Sequence, residues 1–242
     1  MCEDRPAEEP RMAKPEILNS ELTTAHLSDG CVRVRTQLRC AALHPIVAGS
    51  RFAGPVRPVK HYGSVDVFLE AIDSAPPGEV LVVDNEGRRD EGCIGDLIAL
   101  EAANAGFLGI VIWGCHRDTA DIRGIGLPVF SLGAMAAGPT RLEPRGDDTF
   151  TSARIGGFSV SQADVVVADD DGVLFIREAE LPEIVRAGNR IREVERAQAE
   201  RARAGQTLRE QLGFAEFLRR RNADSNLTFR RHLQNIGGAI EE

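Results

Sequence analysis

Three residues in the middle of the 242-residue chain, Asp96, Arg117 and Asp118, are of the types that hold a carboxylate substrate beside a hard metal ion. Arginine offers a planar fork that matches a carboxylate or phosphate, and aspartate offers oxygen to Mg2+ or Mn2+ directly or through its water. Twenty residues separate Asp96 from Arg117, and glycines stand before both clusters: Gly92 and Gly95 before the first, Gly114 before the second. Each residue also has an ordinary structural reading. Asp96 alone is a helix N-cap, and Arg117-Asp118 alone is a surface ion pair contributing little. Cys115 and His116 read as packing and rim residues, because no second Cys or His stands at zinc-ligand spacing.

The elements that must position this set follow from the apolar patterning. "GEVLVVD" (78–84) predicts a short buried strand over Val80–Val83 that ends in a polar turn, followed by a loop, "RRDEGCIG". Asp96 to Asn104 predicts a helix that stops at Gly106, "GIVIW" (109–113) a second strand, "TADIRGIG" one or two helical turns, and "LPVFSLG" a third strand. Strand, helix, strand, short helix, strand implies right-handed crossovers and a parallel sheet buried on both faces, hence an α/β core. In such sheets the carboxyl ends of the strands carry the ligand rim, so both charged clusters fall on one edge. The helix starting at Asp96 turns free N–H groups of Leu97 and Ile98 toward that rim, where its positive end favours an anion.

Elsewhere, "RFAGPVRPV" (51–59) predicts an edge or entry strand, since its prolines cannot donate ladder bonds. "ADVVVADDDGVLFIR" (163–177) predicts a hairpin turning at Asp171-Gly172, and turn chemistry rather than a metal accounts for the acidic triplet Asp169 to Asp171. From Leu181 the spacing of Ile184, Gly188, Ile191 and Val194 is helical as far as Gly205.

Composition bounds the function. Five widely spread cysteines with no CxxC pair give no disulfide framework and fit a reducing, cytoplasmic setting. Residues 1–16 read as a disordered, soluble tail, and no run approaches the ~20 apolar residues of a membrane span. The net charge of -8 is uneven: between Arg186 and His232 stand twelve Arg against five Glu and one Asp, a balance of +6 that leaves -14 for the rest. This basic arm reads as a solvated helix face or a docking arm for the acidic body of a neighbouring subunit rather than an RNA binder, because stacking aromatics are scarce in it. With 27 Arg but only Lys14 and Lys60, the chain lacks the inventory for an imine-forming lysine. It has no GxSxG, Walker or GxGxxG motif, and its five His are far apart.

The spacing of "GCIGD", twenty residues and Arg117-Asp118 resembles the G-x3-GD, x20, RD signature of the RraA-like family, which includes class II pyruvate aldolases such as 4-hydroxy-4-methyl-2-oxoglutarate aldolase and the regulator of ribonuclease E activity. "LTTAHLSDG" (22–30), "RFAGPV" (51–56) and "LPVFSLG" (127–133) are similar to further landmarks, and the resemblance covers residues 17–205. It implies a β/β/α swivelling-type domain over 17–180, a C-terminal helical arm over 181–242, and trimers or hexamers with the active site between subunits. It also implies roles. Asp118 would ligate Mg2+ or Mn2+, Asp96 would support metal-bound water, and Gly95, Leu97, Ile98 and Arg117 would hold the pyruvyl carboxylate and keto oxygen. Glu195 of a neighbouring chain, with Glu193 as the second candidate, would activate water. The activity implied is metal-dependent cleavage of a small 2-oxo acid, by retro-aldol reaction or oxaloacetate decarboxylation, releasing pyruvate. The alternative is a non-enzymatic regulator that binds a protein through its basic arm. Two departures bear on the substrate: Trp113 stands where the family usually has an acidic residue before the glycine, and the tail after Gly205 is longer and more basic.

Overall fold

Side chains that alternate between two buried faces along Val80–Val83 set the architecture. In the computed structural model, which describes residues 21–236, all four side chains of this run are buried, Val80 and Val82 toward one face of a sheet and Leu81 and Val83 toward the other. In chain order the strands are β1 (Cys40–Ala41), β2 (His44–Pro45), β3 (Phe52–Lys60), β4 (Val80–Ile94), β5 (Gly109–His116), β6 (Val129–Ser131), β7 (Ser152–Ile155), β8 (Phe158–Ser161), β9 (Asp164–Asp169) and β10 (Gly172–Arg177). Eight of them form one sheet in the order β1-β10-β9-β3-β4-β5-β6-β2, and β7-β8 form a separate hairpin. The sheet is mixed rather than wholly parallel: β3 to β6 run parallel as expected, while β9, β10, β1 and β2 add antiparallel flanks.

One sheet face packs against helices α2 (Asp66–Asp73), α3 (Asp96–Asn104) and α4 (Thr119–Ile125), through Phe68, Ile98, Ala102 and Ile122. The other face packs against the β7-β8 hairpin through Ile155 and Val160, against Phe52, Phe130 and Phe175. This is β/β/α layering. It leaves the carboxyl ends of β4 and β5 at a rim, where α3 and α4 begin.

Two strand readings need correction. The segment 51–59 is not an edge: β3 lies between β9 and β4. Its residues Phe52–Pro55 pair with β9 and Val56–Lys60 pair with β4. Each position is therefore laddered on one side only, which accommodates Pro55 and Pro58 in the middle of a sheet. The strand from Val80 does not end at Val83 either. It continues to Ile94, with register shifts that set Asp84, Arg88, Gly92 and Ile94 opposite the consecutive residues Trp113, Gly114, Cys115 and His116. Glu86 (φ 56°) and Gly87 (φ 72°) supply the left-handed backbone for this bulged excursion. Polar composition gave the appearance of a loop, but tertiary pairing with β5 holds it as strand.

The β9-β10 turn falls where the Asp-Gly pair predicts it, with Gly172 opposite Asp169. Its acids serve as backbone acceptors: Asp169 takes the N–H and hydroxyl of Thr24, and Asp170 takes the N–H of Gly49. At the start of β9, Asp164 accepts from Arg39 Nη2 at 2.7 Å and from the Ser161 N–H at 2.8 Å, with both ionic side chains buried. Removing one partner of a buried pair strands the other charge, so Asp164→Ala is expected to cost about 3–5 kcal/mol in urea unfolding. A loss below about 1 kcal/mol would show that water reaches Arg39.

The chain divides into two compact units, and residues 38–181, to which all the strands belong, fall in the first. The second gathers residues 25–37 with those from 182 onward. It contains most of α1 (Thr24–Arg33) and α5 (Leu181–Arg203), followed by α6 (Leu208–Gln211), α7 (Phe214–Ala223) and α8 (Phe229–Ile236). A Cβ on Gly30 would meet the Ile184 carbonyl at 2.9 Å and the Gly188 nitrogen at 3.3 Å, so these glycines let α1 and α5 approach closely. Thr207 and Glu210 form a capping box at α6, and Phe214, Phe217, Phe229 and His232 make a small ring-packed core. The expected tail over 1–16 lies outside the described residues.

Candidate active site

The helix α3 starts with Gly95 as N-cap in extended conformation and Asp96 as the first helical residue, so the reading of Asp96 as the cap is corrected by one position. Gly95 provides no capping side chain, and the first intrahelical bond runs from the Ala99 N–H to the Gly95 carbonyl. The N–H groups of Asp96, Leu97 and Ile98 precede that bond and point out of the helix end with its positive partial charge. Asp96 is thereby left with a carboxylate that caps nothing.

Arg117 and Asp118 are brought to the same place by β5. The Arg117 N–H donates to the Ile94 carbonyl at 2.9 Å, which fastens the end of β5 to the end of β4 one residue before Gly95. Asp118 is the N-cap of α4, yet its side chain makes no capping bond and its backbone is left-handed (φ 56°, ψ 41°). Such a conformation costs a non-glycine residue about 1–3 kcal/mol and persists where its surroundings impose it. The carboxylate points instead at Gly95, where a side chain of any kind would collide with Asp118 Oδ2. Gly95 is therefore fixed by the neighbouring acid as much as by the turn.

Arg117 Nε lies 3.4 Å from Asp118 Oδ2, and the two side chains are 47% and 38% exposed. A pair this open contributes little to stability, so both groups remain available to a ligand. The guanidinium also rests against Gly138, where a Cβ would stand 2.6 Å from Nη1. This second wall, the glycine-bearing stretch Gly133–Gly138, is anchored by the Gly92 N–H to Ala137 carbonyl bond at 2.7 Å and the Met135 N–H to His116 carbonyl bond at 2.8 Å. Sequence reading missed it; its only local signal is the small-residue run "GAMAAG".

A cavity of about 410 Å3 opens here, lined by Gly95, Asp96, Leu97, Ile98 and Arg117 together with the aliphatic side chains Val65, Leu69 and Leu100. The strand-end residues beside it are structural. His116 is buried and both its nitrogens are engaged, Nδ1 with Ser131 Oγ at 2.8 Å and Nε2 with Thr119 Oγ1 at 2.9 Å. Burial lowers its pKa, keeping it neutral, and burial raises the thiol pKa of Cys115 and of Cys93. Burial thus works against a Cys115 thiolate, and both imidazole nitrogens of His116 are already engaged, so the pair is not arranged as a nucleophile and base.

Among the described residues, no group of three or more His, Cys, Asp or Glu stands in a metal-holding arrangement. The donor set at this rim is one or two aspartates, which suits Mg2+ or Mn2+, ions that keep much of their water, and does not suit a closed zinc site. Glu195 lies on α5 in the other unit, 43% exposed, with its carboxylate 3.2 Å from His26 Nε2. Glu193 is exposed on the same helix.

The chain belongs to the RraA-like family (Aldolase/RraA), whose model matches residues 24–175. A Hahella chejuensis protein with the name "Putative 4-hydroxy-4-methyl-2-oxoglutarate aldolase" is 34% identical over 128 residues, covering 52% of this chain and 76% of that one. Protein DlpA of Legionella pneumophila is 29% identical over 192 residues, which are 76% of this chain but 31% of DlpA, so the chain spans about a third of that relative. Among solved structures, Streptomyces coelicolor RraAS2, described as an unusual member of the RNase ES inhibitor RraA protein family, superposes with a TM-score of 0.67 at 24% identity, over 78% of this chain and 97% of that one. That likeness is one of fold. The mixed α/β domain followed by helices agrees with the architecture the motif implies. No helix among the described residues is long and apolar enough to cross a membrane.

Proposed function

We propose that the chain is a divalent-metal-dependent lyase that cleaves a small 2-oxo acid to release pyruvate. The observation that carries this reading is the convergence of Arg117, the uncapped Asp118 carboxylate and the open N-terminus of α3 around Gly95. Asp118 would hold Mg2+ or Mn2+, with Asp96 turned to its water. The chemistry such a cation supplies when bound is Lewis acidity toward the keto oxygen. The chain's own groups do the rest: Arg117 clamps the carboxylate through its fork, and the N–H groups of Leu97 and Ile98 receive oxygen atoms of the pyruvyl unit. The aliphatic wall of Val65, Leu69 and Leu100 keeps water from the reacting carbon.

The lysine inventory supports the metal route. Lys60 pairs with Asp148, and this hydrogen bond raises its pKa, opposite to what an imine-forming lysine needs. Glu195 of a second copy is proposed to help activate water for proton transfer, which makes a homo-oligomer with shared sites part of the reading. The regulator alternative draws on the RraAS2 likeness, which is one of fold.

The test is turnover of 4-hydroxy-2-oxo acids with EDTA and with metal restored. Activity is expected to vanish in EDTA and return with Mg2+ or Mn2+; full turnover in EDTA contradicts the reading. Arg117→Lys keeps the charge and removes the fork, so kcat/KM is expected to fall at least about tenfold, or ~1.4 kcal/mol. An unchanged variant would place the carboxylate elsewhere.

A further inference from the structure

A second cavity, of about 770 Å3, lies on the first unit and shares no lining residue with the one at Arg117. Its walls come from the end of β3, from the bulged interior of β4, from Trp113 in β5 and from the β7-β8 hairpin, with Lys60, His61, Tyr62, Asp84, Trp113 and Arg154 among the lining residues. Trp113 is the only tryptophan of the chain; the left-handed Gly87 makes room for its ring, and the left-handed Gly156 lies in van der Waals reach of it. A Cβ on Gly87 would stand 2.8 Å from its Nε1, and one on Gly156 would stand 3.6 Å from Cη2. The bulge of β4 and the tip of the hairpin are thus both built against this one indole.

The charges in the cavity are unequal in what they have left to give. Asp84 is buried, and its two oxygens accept the Glu86 N–H at 3.0 Å and the Arg154 N–H at 2.9 Å. Lys60 pairs with Asp148, Glu143 with Arg141 at 3.0 Å, and Glu86 lies 3.7 Å from Arg88. Arg154 differs: it is exposed, its Nε donates to the Gly156 carbonyl at 3.1 Å, and among the described residues its two terminal nitrogens meet no acceptor. Arg154 and Trp113 line the same cavity. His61 adds a polar group without a full set of partners: Nδ1 faces Asn85 Oδ1 at 2.8 Å, and the buried Nε2 has no partner among the described residues.

We propose that this cavity is a binding site for a planar aromatic anion, its ring against Trp113 and its carboxylate or phosphate on the free fork of Arg154. An aromatic wall favours a planar ring, and a guanidinium fork favours a planar or tetrahedral oxyanion. This proposal does not depend on the lyase reading, since none of its residues belongs to the Arg117 site.

Trp113 is its own reporter. The full chain would be titrated with 4-hydroxybenzoate, adenosine 5′-monophosphate, and their uncharged counterparts 4-hydroxybenzamide and adenosine, following indole fluorescence and, in parallel, calorimetry. Saturable binding of one or both anions is expected, with Kd at least about tenfold weaker for the uncharged counterpart and for Arg154→Gln. Saturation by the benzoate alone assigns an aromatic carboxylate, and saturation by the nucleotide assigns a phosphate ester. The proposal is overturned if neither anion saturates, if anion and uncharged counterpart bind equally, or if binding survives Arg154→Gln and is lost in Arg117→Lys. Circular dichroism of Arg154→Gln, unchanged from wild type, secures that a loss of binding reports the side chain and not the fold.

Discussion

Asp118→Ala is expected to lower kcat/KM for pyruvate release at least about a hundredfold and to abolish calorimetric Mn2+ binding, since even the groups that support a metal ligand are worth ten- to a hundredfold. The structural reason is specific. Asp118 caps nothing, occupies a left-handed conformation, and turns its carboxylate toward Gly95, so the energy held in that backbone has no return in helix stability. Alanine tolerates a left-handed backbone no better than aspartate, so the unfolding midpoint should be unchanged or fall only slightly. A variant that unfolds far earlier and still turns over would mean that Asp118 serves the fold.

The second large effect concerns assembly. If Asp118 of one copy meets Glu195 of the next in a closed ring, Asp118→Ala and Glu195→Ala should each be nearly inactive alone. Unfolded and reassembled together in equal amounts, they are expected to regain roughly a quarter of wild-type activity, because random assortment in a cyclic oligomer leaves about one site in four with both acids. Wild type carried through the same treatment is the control. No recovery beyond the sum of the single variants, with subunit exchange demonstrated, would place Glu195 in its own chain or outside the reaction. Recovery with Glu193→Ala in place of Glu195→Ala would keep the shared site and change the glutamate. The exposed position of Glu193 and the Glu195 contact with His26 leave either able to serve a neighbour.

The Asp96, Arg117, Asp118 set was legible because local rules fix it. An apolar strand must end at a rim, a helix must begin there, and twenty residues are enough for one helix and one return strand. The helix boundaries at Asp96 and Asn104 and the hairpin at Gly172 follow from equally local chemistry, a glycine C-terminus and an Asp-Gly turn. What escaped is decided at long range. The continuation of β4 to Ile94 depends on pairing with β5 through bulges, which break the period-two pattern that marks a strand. The central place of β3 depends on a change of neighbour at Pro55–Val56, which no property of "RFAGPVRPV" announces. Gly138 touches the Arg117 guanidinium across twenty residues of sequence, and the cavity at Trp113 draws on three strands of the sheet and the β7-β8 hairpin. Trp113 itself was visible in the sequence, but the cavity it lines was not.

The most direct measurement is the rate of pyruvate formation from oxaloacetate in the presence of Mg2+. Wild type should exceed the rate of the metal alone, lose that excess in EDTA, and show none of it in Asp118→Ala. Retro-aldol cleavage and this decarboxylation pass through the same pyruvate enolate, so a site built for one serves the other. Pyruvate formed at the rate of Mg2+ alone by folded wild-type protein, or formed equally by Asp118→Ala, would contradict the account.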